Sequence, residues 1–324
     1  MNVAELDFAH DLGRILKEET TQAVPLDLWY CYRLFLLRRP EFSDPERFVA
    51  RTSVEDVRGL VAGFVKSEEF QRLWKTVGIR LPDVPVMVIT PEGTRIWFSL
   101  ADSDVGWRVA ADVYEPDVAR LIKQSVGPGS VCCDIGANIG YFSLLMAKAG
   151  ATVFAFEPLP KNFSLLTRNI HENGLDSCIS AHQSAVLDGM GDFTLASIPG
   201  DSTGPFVVTS PERATGYHTD AIRAVRLDDV IPGKVRVTHI KMDIEGAEPL
   251  ALEGMQRILE RDHPTIFFEF APTAIKRTTG RDPASVISAF HDHGYRIRQL
   301  NGQAWEYDGR YTLKNLVANH ESVA

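Results

Sequence analysis

The sequence predicts an α/β fold whose parallel sheet is covered by helices on both faces, preceded by an α-helical module. From Ser130 onward, short apolar strands alternate with helical segments, the pattern typical of such a sheet. Residues 1 to about 80 instead carry apolar residues at helical spacing. The 324 residues suffice for one large domain and a smaller module. We therefore expect a helical module over residues 1–82 and an α/β domain over residues 83–324.

The composition narrows the class of partner. A chain with 44% hydrophobic and 24% charged residues has enough apolar side chains for a sizeable core. Its net charge of −9 argues against nucleic-acid binding over a broad basic surface, because phosphates require clustered lysines and arginines. The sequence shows neither a signal peptide nor about 20 consecutive apolar residues, so we expect a cytoplasmic protein without a transmembrane segment.

The cysteines predict no metal centre. Their spacing matches no known zinc motif, and neighbouring cysteines on a strand point to opposite faces. We expect them to be buried, reduced small side chains. They are Cys31, Cys132, Cys133 and Cys178.

The elements of the α/β domain are predicted in order. A hairpin around a Pro-Glu-Gly turn in VPVMVITPEGTRIWFSL comes first, followed by a helix in YEPDVARLIKQSV. The strands expected next are SVCCDIG, ATVFAFEP, CISAHQSAV, GDFTLASI, VRVTHIKMDIE and PTIFFEF, and the helices are YFSLLMAKAG, PKNFSLLTRNIHENGL, GAEPLALEGMQRILERD and DPASVISAFHDHG. YRIRQL and AWEYDG predict a closing hairpin, and the polar stretch over about 199–220 predicts a mobile loop.

The segment DIGANIGYF is the first candidate site, because ligands of such sheets bind at the carboxyl ends of the strands. Gly136 and Gly140 permit a tight turn and a close approach of the backbone to a ligand, and Asn138 tolerates unusual backbone angles. An alternative is that Asp134 merely caps the following helix while the glycines make the turn.

Two ligand classes use such a loop. A dinucleotide site requires G-x-G-x-x-G, and here asparagine replaces the middle glycine. Asp134 would repel an anion and attract an ammonium or sulfonium group, both of which S-adenosylmethionine carries. Glu157, at the end of the next strand, suits the ribose hydroxyls of either ligand, so it is Asp134 that favours S-adenosylmethionine.

The segment HIKMDIEGAEPL is the second candidate site. Strand alternation places Lys241 and Asp243 on one face, at the carboxyl end where the reaction would occur. Charged side chains are costly inside a sheet unless they are paired or lie at its open end. Glu245 and Glu248 suit either a substrate site or simple helix-start chemistry.

Glu269, which ends the neighbouring strand, would position the substrate or the loop that covers it. Asp243 and Glu269 together could hold Mg²⁺, since oxygen ligands suit a hard cation. Two ligands are weak evidence for a metal, so we predict none and keep Mg²⁺ as the less favoured alternative.

These motifs resemble the FkbM family of S-adenosylmethionine-dependent methyltransferases. The matching segments include VCCDIGANIGYFSLLMAKAG, VFAFEPLPKNFSLLTRNIHENG and HIKMDIEGAEPLALEGM, and the resemblance covers roughly residues 85 to 300. It implies a class I methyltransferase fold, a Rossmann-like sheet of seven mostly parallel strands with an antiparallel hairpin at one edge. It also implies methyl transfer, usually to a hydroxyl of a sugar, polyketide or other natural product.

The resemblance further implies roles for individual residues. It assigns the methionine part of the cofactor to a group at the first strand end: Asp134, Gly136, Ala137, Asn138 and Gly140. It assigns the ribose to Glu157, and the adenine edge to Ser184 and Ala185. The N-terminal segment is similar to a helical module found on surface-glycan proteins, and would cap the substrate cleft or form an oligomerisation surface such as that of a homodimer.

An alcohol is a poor nucleophile and benefits from a positioned base. We predict that Asp243 is this base, with Lys241 fixing its geometry, and that His218 in the mobile loop is the second choice. The predicted function is O-methylation of a small-molecule or glycan acceptor. Methylation of nitrogen or carbon, and a non-catalytic nucleotide-binding protein, are the alternatives.

Overall fold

The computed structural model describes residues 85–99, 105–110, 112–197, 204–208 and 216–323. The chain divides into two compact units, Met1–Pro116 and Asp117–Ala324. The predicted helical module and its boundary at residue 82 lie outside the described residues and stay predictions. Among the residues that the structure describes, no helix is both long enough and apolar enough to cross a membrane.

The described part of the first unit is a β-hairpin and a short helix. Strand β1 (Pro85–Ile89) pairs antiparallel with β2 (Arg95–Ser99), as the sequence predicts. The turn is closed by the N–H of Gly93, which donates to the carbonyl of Thr90 at 2.9 Å. Helix α1 (Val105–Ala110) follows and was not predicted.

The larger unit alternates strands and helices. Its strands are β3 (Val131–Ile135), β4 (Thr152–Phe156), β5 (Ile179–His182), β6 (Ala185–Val186), β7 (Gly191–Ser197), β8 (Phe206–Val208), β9 (His218–Val225), β10 (His239–Met242), β11 (Thr265–Phe270), β12 (Tyr295–Gln299) and β13 (Lys314–His320). Its helices are α2 (Pro116–Ser125), which begins at the boundary residue, α3 (Tyr141–Lys148), α4 (Pro160–Glu172), α5 (Leu227–Val230), α6 (Glu248–Glu253), α7 (Gln256–Asp262), α8 (Pro272–Thr279) and α9 (Ala284–Asp292). A short 3₁₀ helix (Glu321–Val323) ends the described chain.

The main sheet has seven strands in the order β12-β13-β11-β10-β3-β4-β5. Strands β11, β10, β3, β4 and β5 are mutually parallel, and β13 runs antiparallel to both of its neighbours. The predicted α/β fold, with seven mostly parallel strands and an antiparallel pair at one edge, is therefore confirmed. Because parallel strands end at the same edge, the ends of β3, β4, β5, β10 and β11 form one rim.

The sequence predicted the wrong second strand for the edge hairpin. The partner of β12 is β13, and AWEYDG belongs to the connection between them, with a single bridge from Arg298 to Ala304. Residues 316–318 of β13 are buried between β11 and β12. Trp305 and Tyr307, which alternate as strand residues would, instead pack their rings on Phe270.

The predicted single helix GAEPLALEGMQRILERD is two helices, α6 and α7. A Cβ on Gly254, between them, would lie 2.0 Å from the carbonyl oxygen of Leu187, so the chain passes too close for a side chain. The carboxylate of Asp228 accepts the backbone N–H groups of Arg257 (2.9 Å) and Ile258 (3.1 Å), which caps the first turn of α7.

A second sheet, in the order β6-β9-β7-β8, is inserted between β5 and β10. The predicted strand CISAHQSAV is consequently divided, with β5 in the main sheet and β6 in the second. His218 was expected in a mobile loop, but it is the first residue of β9 and is paired with Ser197. Residues 198–203 and 209–215 of the expected loop lie outside the described residues.

Candidate active site

The loop after β3 has the backbone geometry that its glycines predict. Gly136, Asn138 and Gly140 adopt φ values of 84°, 51° and 93°. These lie in the left-handed region that glycine and asparagine tolerate best. A Cβ on Gly136 would lie 1.9 Å from the carbonyl oxygen of Asp243. Gly136 thus brings this glycine loop, residues 136–140, into direct contact with the end of β10.

Glu157 holds the glycine loop from the neighbouring strand. Its Oε2 accepts the N–H of Asn138 and its Oε1 the N–H of Leu159, both at 2.9 Å. The N–H groups of Gly136 and Ala137 both donate to the carbonyl of Phe156, at 3.0 and 2.9 Å. Burial raises the pKa of Glu157 to about 7, although these hydrogen bonds oppose the shift. The loop is therefore fixed against β4 by three backbone donors.

Asp134 lies beneath the loop and is only 1% exposed. Its Oδ2 accepts the hydroxyl of Ser143 at 2.5 Å, and the backbone N–H of Ser143 also contributes. Burial raises the pKa of Asp134 to about 6, and the Ser143 bonds and Lys241 lower it in part. The capping interaction that the sequence left open is thus present, since Ser143 belongs to the first turn of α3.

Ser184 and Ala185 lie where the chain leaves the main sheet. The N–H of the buried Ser184 donates to the carbonyl of His182 at 2.9 Å, and Ala185 begins β6, where it pairs with Ala224. Asp134, Glu157 and Ser184 therefore stand at or just beyond the ends of three adjacent strands, β3, β4 and β5. This is the arrangement predicted for a cofactor-binding rim, and the individual contacts to a cofactor stay predictions.

A buried ion pair ends β10. Lys241 Nζ lies 3.1 Å from Asp243 Oδ2, with side chains 4% and 20% exposed. Lys241 pairs in register with Asp134 on β3, and its ammonium lies 5.0 Å from the ring centroid of Phe142. The backbone N–H of Asp243 donates to Ile135 at 3.0 Å. The predicted pairing of Lys241 with Asp243 is thus confirmed, and it lies directly beside the glycine loop.

Glu269 adds a second carboxyl group to this strand end. One oxygen of Glu269 lies within 4.8 Å of one from Asp243. Burial raises the pKa of Glu269 to about 9, and the charges of Asp243 and Glu245 raise it further than Lys241 lowers it. The raised pKa favours the neutral form of Glu269. The structure brings together the two carboxylates of the Mg²⁺ alternative, which stays untested.

The turn from β10 into α6 is pressed against α8. Glu245 and Gly246 have positive φ values, 54° and 96°. A Cβ on Gly246 would lie 2.3 Å from the carbonyl carbon of Ala274, and the hydroxyl of Thr278 donates to the carbonyl of Glu245 at 3.0 Å. These contacts fix the backbone of Glu245 in an unusual conformation.

The sequence left two roles open for Glu248, a substrate site or helix-start chemistry. Its contacts in the structure are those of the structural role. Its Oε1 accepts the N–H groups of Ile244 (3.3 Å) and Gly246 (3.4 Å), whereas its buried Oε2 has no hydrogen-bond partner among the residues that the structure describes. Burial raises the pKa of Glu248 to about 7, and the charge of Asp243 contributes. Glu248 therefore stabilises the turn that carries Glu245.

The described part of the expected covering loop contacts this turn. A Cβ on Gly204 would lie 2.2 Å from Oε1 of Glu245, and the ring centroid of Phe206 lies 4.3 Å from the guanidinium carbon of Arg277 on α8. His218 is 67% exposed, and its Nε2 lies 3.7 Å from Asp220. A catalytic role for His218 stays a prediction, whereas its placement in a loop is corrected above.

Sequence reasoning missed several residues of the site. Ser143 and Phe142 occupy the first turn after the glycine loop, where side chains reach back to the strand ends, and this position was a usable signal. The contact between Gly204 and Glu245 joins segments far apart in the chain, and no local pattern announces it.

Residues 134–297 match the family model described as the methyltransferase FkbM domain. The hexuronic acid methyltransferase AglP of Haloferax volcanii is 28% identical over 188 residues, which cover 57% of this chain and 73% of that protein. The 31-O-demethyl-FK506 methyltransferase FkbM of Streptomyces tacrolimicus is 29% identical over 167 residues, 43% of this chain and 63% of that protein.

A third relative and a solved structure also match. The methyltransferase sdnD of Sordaria araneosa is 31% identical over 157 residues, so this chain spans 59% of that protein's length. Among solved structures, the methyltransferase FkbM of Methylobacillus flagellatus aligns over 87% of this chain and 72% of its own, with 15% identity and a TM-score of 0.41.

Proposed function

This chain belongs to the FkbM methyltransferase family, whose members use S-adenosylmethionine, and from this premise we propose that it methylates a hydroxyl group. The observation that carries the proposal is the contact between the glycine loop and Asp243. It supports the proposal because a Cβ on Gly136 would lie 1.9 Å from the carbonyl oxygen of Asp243, so the candidate cofactor loop contacts the backbone of the candidate base. The proposed acceptor is a sugar or another small natural product.

The residues at the rim suit the cofactor. The left-handed backbone at Gly136, Asn138 and Gly140 turns the loop tightly at the carboxyl end of β3, which suits a close approach of the methionine part to the main chain. Glu157 accepts the backbone N–H groups of Asn138 and Leu159 and a side-chain hydrogen bond from Asn162. A carboxylate has about four acceptor sites, so capacity remains for a ribose hydroxyl. Asp134 contributes negative charge beneath the position proposed for the amino group. Ser184 and Ala185, beyond β5, are proposed for the adenine edge.

S-adenosylmethionine supplies an electrophilic methyl group on a sulfonium. The protein's proposed part is to align the acceptor and to remove its proton. The Asp243 carboxylate would accept the proton of the acceptor hydroxyl, while bound S-adenosylmethionine would supply the methyl group and be left as S-adenosylhomocysteine. Lys241 holds Asp243 in place by their 3.1 Å contact. Glu269, whose raised pKa favours the neutral form, can donate a hydrogen bond to the acceptor.

Methylation of nitrogen or carbon is the second candidate, and nuclear magnetic resonance of the product would identify the methylated atom. A cytoplasmic location, a homodimer and the absence of a nucleic-acid partner also remain proposals.

Calorimetry on the full chain tests the cofactor site. We expect S-adenosylhomocysteine to bind and NAD not to bind. Glu157→Gln should weaken S-adenosylhomocysteine by at least about tenfold. The amide has one acceptor oxygen where the carboxylate has two, and its NH₂ group would face one of the backbone donors that the carboxylate accepts. Glu172→Gln, on the exposed face of α4, is the matched control and should bind as the wild type does. Binding of NAD without S-adenosylhomocysteine would overturn the proposal.

A further inference from the structure

Lys241 has two acidic neighbours, one on each side of the candidate site. On β10 it pairs in register with Asp134 of β3, so both side chains project from the same face of adjacent parallel strands. Asp243 continues the alternation past the end of β10, and its N–H donates to the carbonyl of Ile135. Its Oδ2 lies 3.1 Å from Lys241 Nζ. One lysine therefore contacts the candidate base and neighbours the carboxylate beneath the glycine loop.

Burial makes the charges of Lys241 and Asp134 depend on each other. The two residues are 3% and 1% exposed. A buried ammonium or carboxylate is costly unless an opposite charge lies close to it. The Lys241 charge lowers the pKa of Asp134, against the effect of burial. The lysine therefore stabilises the ionised form of Asp134 while it also contacts Asp243.

The first turn of α3 holds both members of this pair. The hydroxyl of the buried Ser143 donates to Asp134 at 2.5 Å, and the ring centroid of Phe142 lies 5.0 Å from Lys241 Nζ. The face of an aromatic ring attracts a cation. The ring of Tyr141 contacts Phe142 edge to face at 5.1 Å. Since α3 begins directly after the glycine loop, the segment that forms the loop also holds the lysine beside Asp134.

We propose that Lys241 is a positioning residue for the cofactor as well as for the base, an inference that rests on the proposed function. Its ammonium, held against Phe142, stabilises the negative charge of Asp134 beneath the position proposed for the cofactor's amino group. The same ammonium holds Asp243 on the acceptor side. Loss of the lysine charge therefore weakens cofactor binding through Asp134, in addition to any effect on the base.

The surroundings of Asp134 give this role a pH signature. A carboxyl group attracts the cofactor's ammonium only when it is ionised, so affinity falls as the pH falls through its pKa. Burial raises the pKa of Asp134 to about 6, and removal of the opposing lysine charge raises it further. The titratable and polar groups that act on Asp134 or interact with its charge are Ser143, Lys241, Asp243, Glu157, Cys132 and Cys133.

Calorimetry on the full chain with S-adenosylhomocysteine, at about pH 6.5 and 8.5, tests this. We expect Lys241→Met to bind at least about fivefold more weakly than the wild type at the lower pH, where Asp134 becomes protonated. At the higher pH Asp134 is ionised in both proteins, so the variant should be no more than about threefold weaker. Lys234→Met is the matched control, since this exposed lysine precedes β10, and it should bind as the wild type does at both pH values.

The outcomes separate this proposal from the function on which it rests. Wild-type affinity of Lys241→Met at the lower pH would confine the lysine to Asp243, and an equal loss at both pH values would mean structural damage. Either result would overturn the proposal. Lys241→Gln takes the place of Lys241→Met if circular dichroism shows that the latter does not fold. If the wild type itself does not bind S-adenosylhomocysteine, the proposed function fails first.

Discussion

The glycine loop after β3 and the acidic ends of β10 and β11 lie in contact, yet different forces hold them. Backbone N–H groups fix the glycine loop, by donating to Phe156 and Glu157 on the adjacent strand. The ends of β10 and β11 instead carry charged and titratable side chains, namely the Lys241–Asp243 ion pair and Glu269, whose pKa is raised. Hydrogen-bond geometry therefore fixes the candidate cofactor loop, whereas charged and titratable side chains stabilise the ends of β10 and β11.

The largest expected effect is at Asp243, just after the end of β10. Asp243→Asn keeps the shape of the side chain but removes the proton acceptor and the partner of Lys241. We expect turnover to fall by at least about 100-fold, while affinity for S-adenosylhomocysteine changes by less than about threefold. Single-turnover kinetics and calorimetry measure the two quantities, with the exposed Asp176→Asn as control. Turnover within a few-fold of the wild type would remove Asp243 from the role of base.

The stability of the glycine loop should be sensitive to Gly136→Ala. The methyl group would meet the Asp243 carbonyl at 1.9 Å in a left-handed backbone, so we expect a loss of about 3 kcal/mol in the free energy of unfolding. Gly174→Ala is the matched control, since its φ is 66° with no atom within 4 Å of the added carbon, and it should cost about 1 kcal/mol. Equal losses in urea unfolding would show that the contact with Asp243 is not tight.

The smallest effect concerns Glu248. Burial raises the pKa of its carboxyl group from 4.5 to about 7. A carboxyl group with a raised pKa stabilises the fold at low pH, and this contribution is lost as the pH rises from 4.5 through about 7. Wild-type stability should therefore fall between about pH 5.5 and 8.5, and Glu248→Gln should reduce that fall by about 2 kcal/mol. Urea unfolding at both pH values measures it, with Glu172→Gln as control. An unchanged pH dependence would mean that Glu248 titrates normally.

The two sides also differ in how far the sequence predicts them. Asp134, the glycine loop and Glu157 follow one another at short spacing along the chain, so local patterns suffice to group them. The pairing of Lys241 with Asp243 follows from strand alternation alone. The position of Trp305 was not predicted. Its alternation with Tyr307 resembles a strand pattern, whereas its ring packs on Phe270. The break at Gly254 depends on Leu187 and Asp228, which no local pattern connects to it.

The connection over residues 300–313 joins two strands that already have their hydrogen bonds. Its sequence and length can therefore change over evolution while the sheet and the glycine loop remain intact. An insertion or substitution in this segment, away from Trp305 and Tyr307, is therefore expected to leave the strand pairings of the main sheet unchanged.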